Sequence, residues 1–141
     1  MRLRIYLNGD SSARNTHISI HFILLRGEYD PIISFPFGFK VVLCLYSQIE
    51  SQKHVIHRFQ PNVLSEYFKR PQTDMNEPYP ISRFASLEHI QQNDNPFIRE
   101  NTMFIKAFID FRVIPNEQLE QVCNINPMYP PTTQQQLTIL K

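Results

Sequence analysis

The chain has 141 residues, with 14 lysines and arginines against 13 aspartates and glutamates, so its formal net charge is +1. This length suits one domain with its own core, and the 42% hydrophobic and 12% aromatic content is too high for a disordered chain. The near-neutral charge predicts no binding surface for nucleic acid or anionic membrane, and no apolar run approaches the roughly 20 residues of a membrane span.

Alternation of apolar and polar residues predicts strands through the first half of the chain. In residues 3–8, Leu3, Ile5 and Leu7 share one face, which we expect to point into the core, and a turn follows at Gly9. Three further strands are predicted: residues 17–25, which enter the core; residues 40–46, apolar on both faces and therefore central; and residues 54–59, an edge or half-exposed strand.

The second half shows weaker patterning. From Pro61 onward we expect a long loop, because Pro71, Pro78 and Pro80 interrupt any regular element. A short helix is predicted at residues 86–91, and a last strong strand at residues 103–110. Five or six strands with little helix predict an all-β fold, an antiparallel β-sandwich with one short helix.

Beyond Val113 the composition changes. Residues 116–122 could form one or two helical turns, and residues 126–136 are rich in proline and glutamine, which predicts a mobile tail. We therefore expect a domain over residues 1–113 and a C-terminal extension over residues 114–141.

Several classes of chemistry are excluded by residue content. Three glycines are too few and too far apart for a phosphate-binding loop or a nucleophile elbow. Cys44 and Cys123 cannot form a disulfide framework, and the histidines lack a carboxylate or cysteine at metal-ligand spacing. We therefore expect no enzyme activity, no cofactor and no metal.

Several segments, in this order, resemble the C-terminal domain of the tumour necrosis factor receptor-associated factors (TRAF), part of the meprin-and-TRAF-homology (MATH) class. They are LRIYLNGD (3–10), THIS (16–19), RGEYD (26–30), FPF (35–37), HVI (54–56), FKRP (68–71), DMN (74–76) and FIRENTMFIK (97–106). The resemblance implies a sandwich of about eight antiparallel strands. Met1 falls where the third strand of that family begins, so we expect a sandwich that is incomplete at its N-terminus, with an unpaired sheet edge.

The resemblance also implies a function. Such domains are cytoplasmic adaptors that bind short extended segments of receptor tails, of the TNF-receptor type, at a sheet edge, and they act as trimers. The expected partners are therefore receptor tails or signalling proteins and other copies of the chain, without nucleic acid or membrane insertion. Two alternatives stay open: a degron-recognition MATH domain of a ubiquitin ligase, and an incomplete fragment that is non-functional or dominant-negative.

Peptide-binding positions are carried over by the resemblance one residue at a time. Arg4, Tyr6 and Asp10 match residues that meet the polar groups of Pro-x-Gln-x-Thr segments. Phe59 matches an aromatic wall of the pocket for the first anchor of the peptide, and Ser65 matches the first of three serines that hold a central Gln or Glu. An ordinary solvated surface is the competing interpretation for Arg4 and Tyr6, because exposed polar faces are common on antiparallel sheets.

The same positions include departures from the family. His21 replaces an aromatic residue, Gln60 an arginine, and Glu66 the second serine, while Tyr79 with the following proline replaces a small Ser-Gly pair of the family. We count His21, Gln60 and Tyr79 among the candidate peptide-binding residues. These changes predict altered specificity or weakened binding.

Overall fold

The computed structural model describes residues 1–92, 94–111 and 127–128. The predicted C-terminal extension over residues 114–141 therefore lies outside the described residues, apart from positions 127 and 128, and so does Cys123. The domain boundary at Val113 stays a prediction.

Six strands in the described part of the chain form two antiparallel sheets, each of three strands. The first sheet has the order β1-β2-β5 and the second the order β4-β3-β6. The strands are β1 (Arg2–Tyr6), β2 (His17–Ile23), β3 (Lys40–Leu45), β4 (Val55–Phe59), β5 (Tyr79–Ser86) and β6 (Ile105–Asp110). A 3-10 turn (Glu66–Phe68) and a short helix α1 (Leu87–Ile90) complete the regular structure. The predicted all-β sandwich with one short helix is confirmed.

The core lies between the two sheets and is centred on β2 and β3. Alternate residues of β2 and of β3 point into it, because successive side chains of a strand face opposite sides. They are Ile18, Ile20 and Phe22 from β2 and Val41, Leu43 and Leu45 from β3, all 0–2% exposed. Val42 and Cys44, on the other face of β3, are also fully buried. The prediction of a central strand there is confirmed.

The prediction for the inward face of β1 is only partly right. Leu3 packs against the core, but Ile5 is 43% exposed and Leu7, which lies beyond the end of the strand, is 64% exposed. The reason is position: β1 is the outermost strand of its sheet in the described part of the chain, and side chains there are covered only where the opposite sheet reaches them.

The predicted long loop after Pro61 is wrong over its last third, where β5 forms. Pro80 weakened the strand signal, yet proline is tolerated on an edge strand, where a missing N–H costs no ladder bond. Ile81 pairs with Ile20 of β2, and both Ile81 and Phe84 are buried in the core. The predicted short helix follows directly, with Ser86 at its N-cap position but without a side-chain hydrogen bond to the helix.

Candidate functional site

The outer face of the first sheet carries a polar cluster, which we call the polar face. Its members are Arg4 and Tyr6 from β1, Ser19 and His21 from β2, Ser82 from β5, and Asp10 from the turn after β1. In the ladder Arg4 lies opposite His21 and Tyr6 opposite Ser19. The Tyr6 and His21 rings contact each other, with their centroids 4.8 Å apart. Alternation along β1 thus places Arg4 and Tyr6 away from the core, as predicted.

Asp10 reaches this face because the chain turns sharply at Gly9. Gly9 has φ +79°, a left-handed conformation that favours glycine. The backbone N–H of Asp10 then donates to Ser19 Oγ at 2.9 Å, which holds the loop against β2. Ser19 Oγ in turn donates to the Ser82 carbonyl at 2.6 Å, so one buried hydroxyl joins the loop to β5.

The Asp10 carboxylate accepts four hydrogen bonds. Oδ2 accepts from Ser82 Oγ at 2.6 Å and from His21 Nε2 at 3.0 Å. Oδ1 accepts from the Ser12 backbone N–H at 3.1 Å and from Ser12 Oγ at 2.9 Å. These bonds, the Ser82 bond first and the His21 bond next, hold the pKa of Asp10 well below its usual range. Asp10 is therefore an ionised group that orients His21, and through His21 the ring of Tyr6.

Because of this network, the stability that the polar face contributes depends on pH. The folded-state pKa of Asp10 lies below its unfolded value, so its contribution to stability is present above the ordinary carboxyl pKa of about 4 and is lost as the pH falls below it. We expect the free energy of unfolding to fall as the pH is lowered below about 4. In Asp10→Asn the free energy of unfolding should fall less steeply over the same pH range. Urea unfolding at a series of pH values would measure both, and equal slopes for the two proteins would contradict the prediction.

A second group of candidate residues lies in an aromatic cluster at the start of β5. We define this aromatic cluster as Phe59, Tyr67, Phe68 and Tyr79. The Tyr79 ring centroid lies 5.0 Å from Phe59, 5.1 Å from Phe68 and 5.5 Å from Tyr67. Phe68 is buried and the other three are half-buried, so the cluster joins the core to the surface.

Ser65 and Gln60 flank this cluster without entering it. Ser65 precedes the 3-10 turn that carries Tyr67 and Phe68, and its backbone N–H donates to the Asn62 carbonyl at 2.9 Å. The Gln60 side-chain amide donates to the Gly38 carbonyl. Glu66, at the second serine position, is exposed and forms an ion pair with Lys69. Ser65 is therefore followed by an acidic side chain and not by a second hydroxyl.

The polar face and the aromatic cluster meet at β2 and β5. His21 pairs with Pro80, and the next residue, Phe22, pairs with Tyr79. Because neighbouring residues of a strand face opposite sides, His21 belongs to the outer face and Tyr79 to the inner one. Of the polar face, Ser82 lies on β5 and His21 on the neighbouring strand β2, whereas Arg4 and Tyr6 lie on β1, beyond β2. In the described part of the chain, β5 is an end strand of the first sheet.

Ser82 was missed in the sequence because β5 was not predicted. The signal available was the pair of apolar residues Ile81 and Phe84 flanking it, which Pro80 obscured. Within residues 1–92, 94–111 and 127–128, no three histidines, cysteines, aspartates or glutamates gather in a way that could hold a metal ion. None of the helices in the same ranges has the length and apolar character needed to cross a membrane.

Comparison with known proteins extends these observations. A family model described as TRAF/meprin, MATH domain matches residues 1–106. Human TNF receptor-associated factor 2 is 40% identical over 110 residues, which are 78% of this chain and 22% of that protein. Mouse TNF receptor-associated factor 5 is 36% identical over 107 residues, 76% of this chain and 19% of that protein. The chain thus spans about a fifth of the length of these curated relatives.

A solved structure shows the same fold. TRAF5 of Notothenia coriiceps superimposes with a TM-score of 0.72 at 29% sequence identity, covering 80% of this chain and 56% of that one. The match supports a sandwich of the MATH type.

Proposed function

Because this chain belongs to the TRAF/meprin MATH domain family, we propose that it is a signalling adaptor module that binds short extended peptides beside β5. The ligands are segments of receptor tails, and the names of its relatives point to receptors of the TNF type. The observation that carries this proposal is the exposed Arg4 next to Tyr6 and His21, on the outer face of the sheet in which β5 is an end strand. The role is recognition without a chemical reaction.

The recognition mode follows from the position of β5. An extended segment laid along an end strand gains main-chain hydrogen bonds, and its alternate side chains reach the two faces of the sheet. One set would meet the polar face and the other the aromatic cluster. Pro80 removes one N–H from β5, so fewer main-chain bonds are formed there and the side-chain contacts carry more of the affinity.

Electrostatics favour an acidic or strongly polar group in the ligand. Arg4 is exposed and forms no ion pair with another residue in the described part of the chain. Asp10, by contrast, already accepts four hydrogen bonds from the protein and its side chain is only 10% exposed. In this proposal Arg4 and Tyr6 contact the ligand, and Asp10 acts through His21 to hold the Tyr6 ring.

The cellular setting is part of the same proposal. The module works in the cytoplasm, and trimers of the full-length protein bind clustered receptors tightly, because each further site binds at a high effective concentration. Relatives named as TNF receptor-associated factors favour this adaptor role over degron recognition.

A double substitution tests the ligand contacts. Arg4→Ala with Tyr6→Ala should weaken binding of a Pro-x-Gln-x-Thr peptide by about tenfold or more, because a charge-assisted hydrogen bond and an aromatic contact are lost together. The melting temperature should change little, since Arg4 is exposed and Tyr6 is only half-buried. Amide-resolved NMR titration would measure the binding, and thermal unfolding would measure the stability.

The matched control is Arg99→Ala with Tyr29→Ala, which removes the same side-chain types from two exposed positions elsewhere. It should bind like the unmodified chain. A large drop in melting temperature for the Arg4 and Tyr6 variant, or equal binding by the variant and the control, would refute the site assignment.

A further inference from the structure

The ring of Tyr79 occupies the space between the other three rings of the aromatic cluster. Its centroid lies 5.0–5.5 Å from three other rings, those of Phe59, Phe68 and Tyr67. These are the separations of aromatic pairs in direct contact. Phe59, which the family resemblance matches to a wall of the anchor pocket, is thus covered on this side by a residue of the protein itself.

The backbone of Tyr79 is held while its side chain is only half-buried. Tyr79 pairs with Phe22 in the β2–β5 ladder. Pro80 follows it, and a residue before proline is restricted to extended conformations. The ring can therefore leave the cluster by rotation about its own side-chain bonds, with no movement of β5. Tyr79 is only partly buried, so part of the residue already faces solvent.

We propose that Tyr79 is a specificity-determining gate: its ring fills the anchor pocket in the free protein, and a ligand anchor enters only when the ring rotates out. This inference rests on the proposed function, because the pocket is defined by the peptide that it would bind. A ligand must then replace the contacts of Tyr79 with three rings. Segments with a proline or larger apolar anchor do so, and segments with a small anchor do not.

The observed affinity for the peptide equals the affinity of the open pocket multiplied by the fraction of molecules in which the pocket is open. Removing the ring should therefore raise affinity for a peptide whose anchor fills the vacated space. We expect Tyr79→Ala to bind a Pro-x-Gln-x-Thr peptide about tenfold more tightly than the unmodified chain. Tyr29→Ala removes the same ring from an exposed position outside the polar face and the aromatic cluster, and is the matched control, so it should bind like the unmodified chain. A Gly-x-Gln-x-Thr peptide, which has no anchor side chain, should gain nothing from Tyr79→Ala.

Calorimetric titration of the full chain and of both variants separates the possible failures. If the unmodified chain binds the proline peptide and Tyr79→Ala binds it no more tightly, the gate is refuted while the proposed function stands. If neither protein binds, the proposed function fails and the gate with it. Thermal unfolding checks that Tyr79→Ala is folded. If that variant is unfolded, Tyr79→Leu is used in its place, because leucine keeps apolar volume without a ring.

A measurement on the unmodified chain tests the ring movement directly. In the free protein, nuclear Overhauser contacts should join the Tyr79 ring to the rings of Phe59 and Phe68. At saturation with the proline peptide these contacts should disappear and be replaced by contacts between the peptide anchor and Phe59. Persistence of the Tyr79 contacts at saturation would overturn the proposal.

Discussion

Replacing Gly9 by alanine is expected to destabilise the folded chain by on the order of 3 kcal/mol. Gly9 has φ +79°, which strains any residue with a Cβ, and a Cβ there would overlap the backbone carbonyl oxygen of Ala13. It would also lie 2.8 Å from the His17 carbonyl oxygen. Both obstacles are backbone atoms, one in the loop that holds Asp10 and the other in the first residue of β2, so they cannot rotate away. Urea unfolding would measure the loss.

Gly38→Ala is the matched control for this substitution. A Cβ at Gly38 would meet Val63 Cγ1 at 3.4 Å, an ordinary contact, and Gly38 has no positive φ. The same change should therefore be neutral there, or stabilising by about 0.4–1 kcal/mol through the unfolded state. Similar costs at Gly9 and Gly38 would show that the turn at Gly9 does not demand glycine. A specific effect should also displace the His21 resonances, because Asp10 orients that ring.

Phe22→Ala is expected to cost about 3–5 kcal/mol, the usual range for a buried phenylalanine. Phe22 is 1% exposed and lies at the centre of the interior aromatic packing. Its ring centroid is 5.7 Å from both Phe37 and Phe59 and 6.3 Å from Phe68. Since these neighbours come from three different segments, they cannot all collapse into the space that is left. Denaturant unfolding should show a lower midpoint with an unchanged slope.

Phe111→Ala removes the same atoms from a side chain that is 68% exposed. Its described ring contact is with Phe39, at 4.9 Å, so we expect a cost of about 1 kcal/mol or less. Comparable losses in the free energy of unfolding at Phe22 and Phe111 would mean that packing in the core between the sheets is not the main source of stability.

Half of the polar face could be predicted from local patterns. Alternation in residues 3–8 placed Arg4 and Tyr6 on one side of a strand, and the turn chemistry of Asn8 and Gly9 placed Asp10 just beyond it. Both inferences depend on a few neighbouring residues and on backbone geometry. The hydrogen bond from Ser82 to Asp10 could not be found in this way. Ser82 is 72 residues away from Asp10 and lies in a strand whose pattern Pro80 obscured.

For the aromatic cluster, too, the sequence indicated single residues, and the structure showed which of them are in contact. Phe59 was identified as a pocket wall through the family resemblance, and Tyr79 as a bulky replacement for small residues. Neither observation says that the two rings touch. Their contact, 5.0 Å between centroids, arises because β4 of the second sheet and β5 of the first sheet come together across the core.

The sequence by itself determined the fold class, five of the six strands, the short helix and the family, because alternation, turn residues and ordered motifs are local properties of the chain. Tertiary structure alone decided which of those strands share a sheet, that Ile5 and Leu7 stay exposed, and that Asp10 is held by Ser82 and His21. It also placed the Tyr79 ring against Phe59. These outcomes depend on pairing between segments far apart in the chain, for which a single sequence carries no periodic signal.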